Sequence, residues 1–275
     1  MNALLILAII VAAIVLAEWI PKLRLKRAVQ ARFPEHFVAI LEKNVPVYPR
    51  LPAELRGQLH GLIKQFLHQK NFHGCGGLEI TDEMRVTIAG QACLLLLNRR
   101  TRVYPGLWSV LVYPGAFIAP RTELAPGGVV IDGEEDLLGE SWGDGRVVLA
   151  WDHVRQGAGD FTDGHNVVLH EFAHQLDDES GAADGAPILG SQANYRDWAA
   201  VLSREFAALR SDVLHQDETV LDEYGATDPA EFFAVATETF FEKPVELAEH
   251  HPELFEELKK YYRVDPREWL HGRSL

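Results

Sequence analysis

The distribution of apolar and polar positions divides the chain into unlike stretches. Residues 3–17 form an unbroken apolar run, prolonged by Trp19 and Ile20 with only Glu18 between, and Lys22, Arg24, Lys26 and Arg27 follow directly. About 20 apolar residues span a bilayer, so residues 1–21 are expected to form an N-terminal transmembrane helix with an interfacial tryptophan. The basic cluster after the span predicts an anchor in the cytoplasmic membrane with the rest of the chain in the cytoplasm. A cleaved signal peptide is the rival, because Val15-Leu16-Ala17 passes as a cleavage site, but the n-region lacks Lys or Arg. A soluble cytoplasmic protein is the alternative to an anchored one. Residues 22–50 read as a basic, proline-containing connector, and residues 51–275 as the folded domain.

Further along, Leu51, Leu55, Leu59, Leu62, Ile63, Phe66 and Leu67 recur at helical spacing. The glycines between Phe72 and Ile80 mark a turn, after which Thr81 caps a second helix with Asp82 and Glu83 in its first turn. Residues 108–113, 128–131 and 146–151 are short β-branched or aromatic runs separated by Gly and Pro, which predicts a small sheet. Residues 147–151 are the candidate edge strand for an extended peptide, or an ordinary internal strand. Residues 167–179 hold neither Pro nor Gly and predict a helix. A Gly/Ala/Asp-rich loop follows, then an amphipathic helix with Trp198, Val201, Leu202 and Phe206. Asp228 at N-cap and Pro229 at N1 open another helix, and Leu247, Leu254, Phe255, Leu258, Tyr261 and Tyr262 mark the last helical stretch. The order of elements predicts an α+β fold.

Charge and cysteine content narrow the function. A net charge of −14 argues against a nucleic-acid partner, because phosphate binding needs clustered Lys and Arg. The two cysteines, Cys75 and Cys93, lack metal-ligand spacing and suit a reducing compartment.

The chemistry concentrates in His170-Glu171-Phe172-Ala173-His174. Four residues are slightly more than one helical turn, so both imidazoles project from one face about 6 Å apart along the axis. Such a pair clamps one zinc ion, which needs a further protein ligand and keeps a position open for water. Glu171 stands beside the clamp as the general base of a zinc-dependent peptide hydrolase. Val168, Leu169, Phe172 and Leu176 surround these polar residues, so the helix is expected to be mostly buried. Asp177, three residues beyond His174, either orients a ligand imidazole or is a solvated helix end.

The third ligand is less determined. The residues after His174 read Gln175-Leu176-Asp177-Asp178-Glu179-Ser180, without the further histidine of a metzincin, which leaves a carboxylate on a later helix. Glu231 is a candidate ligand or else the N3 partner in a capping box opened by Asp228. Glu238 is the other candidate, or a residue bracing the site from behind, and Glu242 and Asp228 are weaker ones. Tyr224 carries a hydroxyl that could donate to a developing oxyanion, or is simply packed.

Taken together, His170 to Asp177 and Tyr224 followed by Asp228-Pro229-Ala230-Glu231-Phe232-Phe233-Ala234-Val235 resemble the Mlc titration factor A (MtfA-like) family of zinc peptidases. These are gluzincins whose catalytic region is similar to that of anthrax lethal factor. Tyr113-Pro114-Gly115-Ala116-Phe117 and Gly164-His165-Asn166 add to a likeness that covers roughly residues 31–262. The resemblance implies a zincin-like domain with a small sheet, an H-E-x-x-H helix and a glutamate helix. It implies one zinc ion on His170, His174 and Glu231, with Glu171 and Tyr224 catalytic, since the family's ligand glutamate lies seven residues after its tyrosine. It further implies aminopeptidase-type activity on a peptide or protein substrate. It also suggests a second reading, a protein that sequesters a transcriptional regulator of the Mlc type, with hydrolysis latent or secondary.

Overall fold

A computed structural model describes residues 3–99, 101–115, 117–125, 129–137, 139–142 and 145–270, with the side chains of 3–9, 14, 15, 18 and 117–142 left aside. Helix α1 (Ala3–Gln30) leads into α2 (Glu35–Asn44) and α3 (Ala53–Gln69). Strand β1 (Asn71–Gly74) and helix α4 (Asp82–Leu94) precede β2 (Ser109–Tyr113). Strands β3 (Phe117–Ala125), β4 (Val129–Leu137), β5 (Gly139–Trp142) and β6 (Arg146–Ala150) follow. The remainder is helical: α5 (Trp151–Gly159), α6 (Val167–Asp178), α7 (Gln192–His215), α8 (Pro229–Glu242), α9 (Pro244–His250), α10 (Pro252–Tyr262) and α11 (Arg267–Leu270). The architecture is a mostly helical α+β fold.

The main sheet has the order β1-β2-β6-β5, parallel except for β5, which runs antiparallel to β6. Strands β3 and β4 form a separate antiparallel pair, so residues 129–131 of the expected run at 128–131 belong to that pair and not to the main sheet, and residue 128 lies outside the described residues. The expected edge strand is also corrected: β6 lies between β2 and β5, and the edges are β1 and β5. The reason lies in its side chains. Val147, Val148, Leu149 and Ala150 are all buried, so both faces of the strand are covered, as in the interior of a parallel sheet.

Residues 22–50, expected as a connector, are helical over most of their length, and Leu41, Val45, Val47 and Tyr48 pack into the common core. Lys64 Nζ bonds the carbonyls of Val29 and Ala31, tying the end of α1 to α3. Among the described residues no helix is long and apolar enough to cross a membrane. Much of the expected span, the side chains of residues 3–9, 14, 15 and 18, lies outside the described residues.

Two aromatic groups fix the helices that matter for the site. Phe172 of α6 is fully buried, 5.6 Å from Phe66 of α3 and 4.8 Å from Tyr104 between ring centroids. Phe233 of α8 packs edge-on against Trp198 of α7, Phe240 stacks on Tyr262 of α10, and Phe241 meets Tyr262 edge-on. Burying rings of this size supplies a large share of a core's stability. Here it fixes α6 against α3, and α8 against α7 and α10.

Candidate metal centre

Local sequence starts both helices where the site needs them. Asn166 caps α6, its Oδ1 accepting from the backbone N–H of Val168 and of Leu169 at 3.1 Å each. Asp228 caps α8 in the same way, accepting from Ala230 at 2.8 Å and Glu231 at 3.0 Å, with Pro229 at the first helical position. Asp228 accepting from the Glu231 N–H is one half of a capping box, but the Glu231 side chain does not complete it and turns toward α6 instead.

There it meets the histidines. The Nε2 atoms of His170 and His174 are 3.2 Å apart, and Glu231 Oε2 lies 3.0 Å from the first and 3.3 Å from the second. Donors about 2.0–2.2 Å from a tetrahedral metal lie about 3.3–3.6 Å from one another, so the edges of this triangle, 3.0–3.3 Å, are at or a few tenths of an ångström below those of a metal site. Among the described residues, His170, His174 and Glu231 are the one group of His, Cys, Asp or Glu that brings three such atoms together.

The electrostatics ask for a cation. Although burial opposes it, hydrogen bonds from His170 and His174 hold the Glu231 carboxyl down at about 2. Burial also disfavours charge on His170, yet Glu238, Glu231 and Glu171 around it raise its pKa well above the imidazole range. A metal ion at the triangle would supply the positive charge that this set of carboxylates favours.

Glu238 resolves the ambiguity left by the pattern. Its Oε1 accepts from His170 Nδ1 at 2.8 Å and its Oε2 from the backbone N–H of Asn166. With Nδ1 carrying the proton, Nε2 is the His170 atom that would give its lone pair to a metal ion at the triangle in place of its bond to Glu231. Glu238 therefore orients His170 and stands outside the triangle. Glu242 stands outside it as well: its carboxylate accepts from the Asn166 side-chain amide and the Gly164 N–H, both at 3.0 Å. Burial pushes its carboxyl up to about 9.

Asp177 departs from its expected bracing role. It accepts from the Gly185 N–H at 2.7 Å, its Oδ1 is buried without a partner, and burial pushes its carboxyl up to about 6. It fastens the loop after α6 and does not bond His174. Glu171 is 4 % exposed and its Oε2 has no partner; burial pushes its carboxyl up to about 7 against the pull of both imidazoles. Tyr224 is half exposed, its ring centroid 6.0 Å from that of His170.

The residue that sequence reasoning passed over is Asn166. Its place before the apolar start of α6 is the N-cap signal that would have found it. What its amide nitrogen and backbone N–H do, linking Glu242 and Glu238, has no sequence signal.

Two imidazoles four residues apart on one helix, a carboxylate from a facing helix and a buried glutamate beside them define the class of H-E-x-x-H metallopeptidases. The comparisons with known proteins narrow it. Residues 20–263 match the model of the glucose-regulated metallo-peptidase M90 family, and the chain belongs to that family. An uncharacterized protein of Synechocystis is 44% identical over 246 residues, 88% of this chain and 89% of its own length. Mlc titration factor A of Pectobacterium atrosepticum is 35% identical over 240 residues, covering 86% of this chain and 89% of the relative. That of Klebsiella pneumoniae is 32% identical over 225 residues, 81% and 84%.

Proposed function

We propose that this member of the family is a zinc-dependent peptidase of aminopeptidase type, with His170, His174 and Glu231 as zinc ligands, Glu171 as general base and Tyr224 as oxyanion donor. The observation that carries this reading is the triangle of ligand atoms with a buried, unpartnered carboxylate oxygen of Glu171 beside it. Two nitrogens and one carboxylate oxygen are the donor set of a catalytic zinc site with one position left open. When bound, the zinc supplies Lewis acidity to a water molecule and to the scissile carbonyl.

The chain's own groups do the remaining work. Glu171 takes the proton of the attacking water and later delivers it to the leaving amine. Tyr224 donates to the oxygen of the tetrahedral centre. Glu238 keeps the His170 Nδ1 proton in place throughout. Strand β5, at one edge of the main sheet among the described residues, is the candidate strand for pairing with an extended peptide.

Hydrolysis of a mixed set of peptides with free and blocked N-termini by the zinc-loaded protein tests this. Activity that falls by about 10²–10⁴ in Glu171→Gln while zinc stays bound is the expected result. Equal activity in that variant would refute the assignment. Cleavage of blocked peptides as fast as free ones would refute the aminopeptidase type alone.

The name carried by relatives of 32–35% identity supports a second partner, a transcriptional regulator of the Mlc type. Capture of such a regulator that survives Glu171→Gln and chelation of the metal would favour sequestration over cleavage. Anchoring to the cytoplasmic membrane through residues 1–21, with the domain in the cytoplasm, also belongs to the proposal. It rests on the apolar run and on the exposure of Val11, Leu16 and Trp19. Release of the protein into the soluble fraction of cells expressing the full chain would count against it.

A further inference from the structure

The basic residues are unevenly placed along the chain. Residues 22–70 hold ten Lys and Arg against three Asp and Glu, while the rest of the chain holds 16 against 37, so a strongly acidic protein carries one basic end. Such asymmetry points to an anionic surface as partner. The fold keeps this end together. Lys22, Arg24, Lys26 and Arg27 are exposed on the second half of α1, whereas Leu25, Ala28 and Val29 of the same stretch are half-buried. Lys64 of α3 bonds the carbonyls of Val29 and Ala31, and the His60 ring of α3 stacks on Phe33 at 3.9 Å, so the end of α1 is fastened to the domain.

Only part of this charge is neutralised within the protein. Arg32 pairs with Glu35 at 2.6 Å and Lys43 with Glu83 at 2.8 Å, and Lys70 is buried against the carbonyls of Tyr104 and Leu107. Among the described residues, Arg24, Lys26 and Arg27 pair with no carboxylate.

What adjoins these three names the partner. Directly before them α1 exposes Ile10, Val11, Leu16, Trp19 and Ile20, with Trp19 62 % exposed. A nucleic acid matches the charges but leaves those apolar side chains in water. A bilayer takes both, apolar groups in the hydrocarbon and basic ones among the phosphates. At 1.5 Å per residue, residues 24–27 lie about 6–11 Å along the helix beyond Ile20, close to one Debye length and within reach of long basic side chains. We propose that Arg24, Lys26 and Arg27 bind the headgroups of anionic phospholipids and, through the tie between α1 and α3, hold the domain at the lipid surface, a contact that rests on the anchoring of residues 1–21.

The test uses the full-length protein reconstituted into phosphatidylcholine vesicles that carry a small fraction of pyrene-labelled phosphatidylglycerol or pyrene-labelled phosphatidylcholine. Energy transfer from Trp19, read as the difference between wild type and Trp19→Phe, reports which lipid gathers beside α1. The expected result at about 0.1 M salt is enrichment of phosphatidylglycerol over phosphatidylcholine by about fivefold or more, as for one basic group near a lipid surface, falling toward parity at about 1 M. Arg24→Gln/Lys26→Gln/Arg27→Gln should abolish the enrichment, keep the transfer to labelled phosphatidylcholine and melt at the wild-type temperature, because all three side chains are exposed. Arg24→Lys/Arg27→Lys should keep the enrichment. Equal transfer to the two lipids at low salt overturns the proposal and leaves the anchor standing. Enrichment that persists in the triple variant overturns the assignment to these residues. Transfer to neither lipid, with the protein outside the vesicles, overturns the anchor and this contact with it. Displacement of the labelled phosphatidylglycerol by a short RNA duplex at micromolar concentration overturns it in favour of a nucleic acid.

Discussion

Replacing Glu238 by glutamine isolates the orientation of His170 from every other feature of the site. The carboxylate is 6 % exposed and is used on both oxygens, one by His170 Nδ1 at 2.8 Å and one by the Asn166 N–H. Glutamine has the same shape but one acceptor and one donor. If its oxygen keeps His170, its amide nitrogen faces the Asn166 N–H, and a buried donor without an acceptor costs about 1–3 kcal/mol. If the oxygen keeps Asn166, the amide donates to Nδ1, and the His170 proton moves to Nε2, the atom aimed at the ligand triangle. In the second case the bracing of the ligand is lost, and in the first it is weakened, because a neutral amide oxygen accepts less strongly than a carboxylate. Loss of such a partner lowers metal affinity about 10–100-fold, or about 1.4–2.8 kcal/mol. Zinc affinity measured by competition with a chromophoric chelator reads this directly, and urea unfolding of the metal-free proteins separates the stability cost. Asp177→Asn is the comparison, because Asp177 bonds Gly185 and not a ligand. Its affinity should stay within about threefold of wild type, well inside the loss set by a true bracing residue. Glu238→Gln binding zinc as tightly as wild type would refute the role given to Glu238.

Other outcomes follow from the same network. Glu242 has its carboxyl raised to about 9 by burial, so the folded state holds a proton that the unfolded state releases above about 4.5. Its contribution is therefore fully present below pH 4.5 and is lost as pH rises toward 9, and urea midpoints across that window should fall more steeply for wild type than for Glu242→Gln. Asn166→Ala removes the α6 cap and one partner of Glu242, and should lower unfolding free energy by about 2–4 kcal/mol in urea titrations. An Asn166→Ala midpoint equal to wild type would contradict the capping geometry. Tyr224→Phe should lower kcat by about 10²–10³ with KM little changed, as for loss of one oxyanion donor, and unchanged kcat would remove Tyr224 from the mechanism.

Much of the site could be read from the sequence because its chemistry is local. The spacing of His170 and His174 on one helix face follows from 3.6 residues per turn, and Asp228-Pro229 sets the start of α8 by capping alone. The helical stripe of α3, the Thr81 cap of α4 and the short strands have the same kind of local origin. Pattern alone left the division of labour among carboxylates open. Glu231, Glu238 and Glu242 lie on one helix at similar distances in sequence, and only the approach of α8 to α6 decides which reaches Nε2, which reaches Nδ1 and which reaches Asn166. Asp177 shows the reverse case, a residue at the right spacing whose side chain a loop backbone claims first.

Strand order was equally out of reach. An apolar run such as Val147 to Ala150 fits an edge or an interior position until its neighbours on both sides are known. The sequence by itself determined where helices begin and which residues can hold a metal, because capping and periodicity act over a few residues. The tertiary structure decided which carboxylate does what and which polar atoms are left unmatched, because those depend on contacts between segments that sequence proximity does not encode.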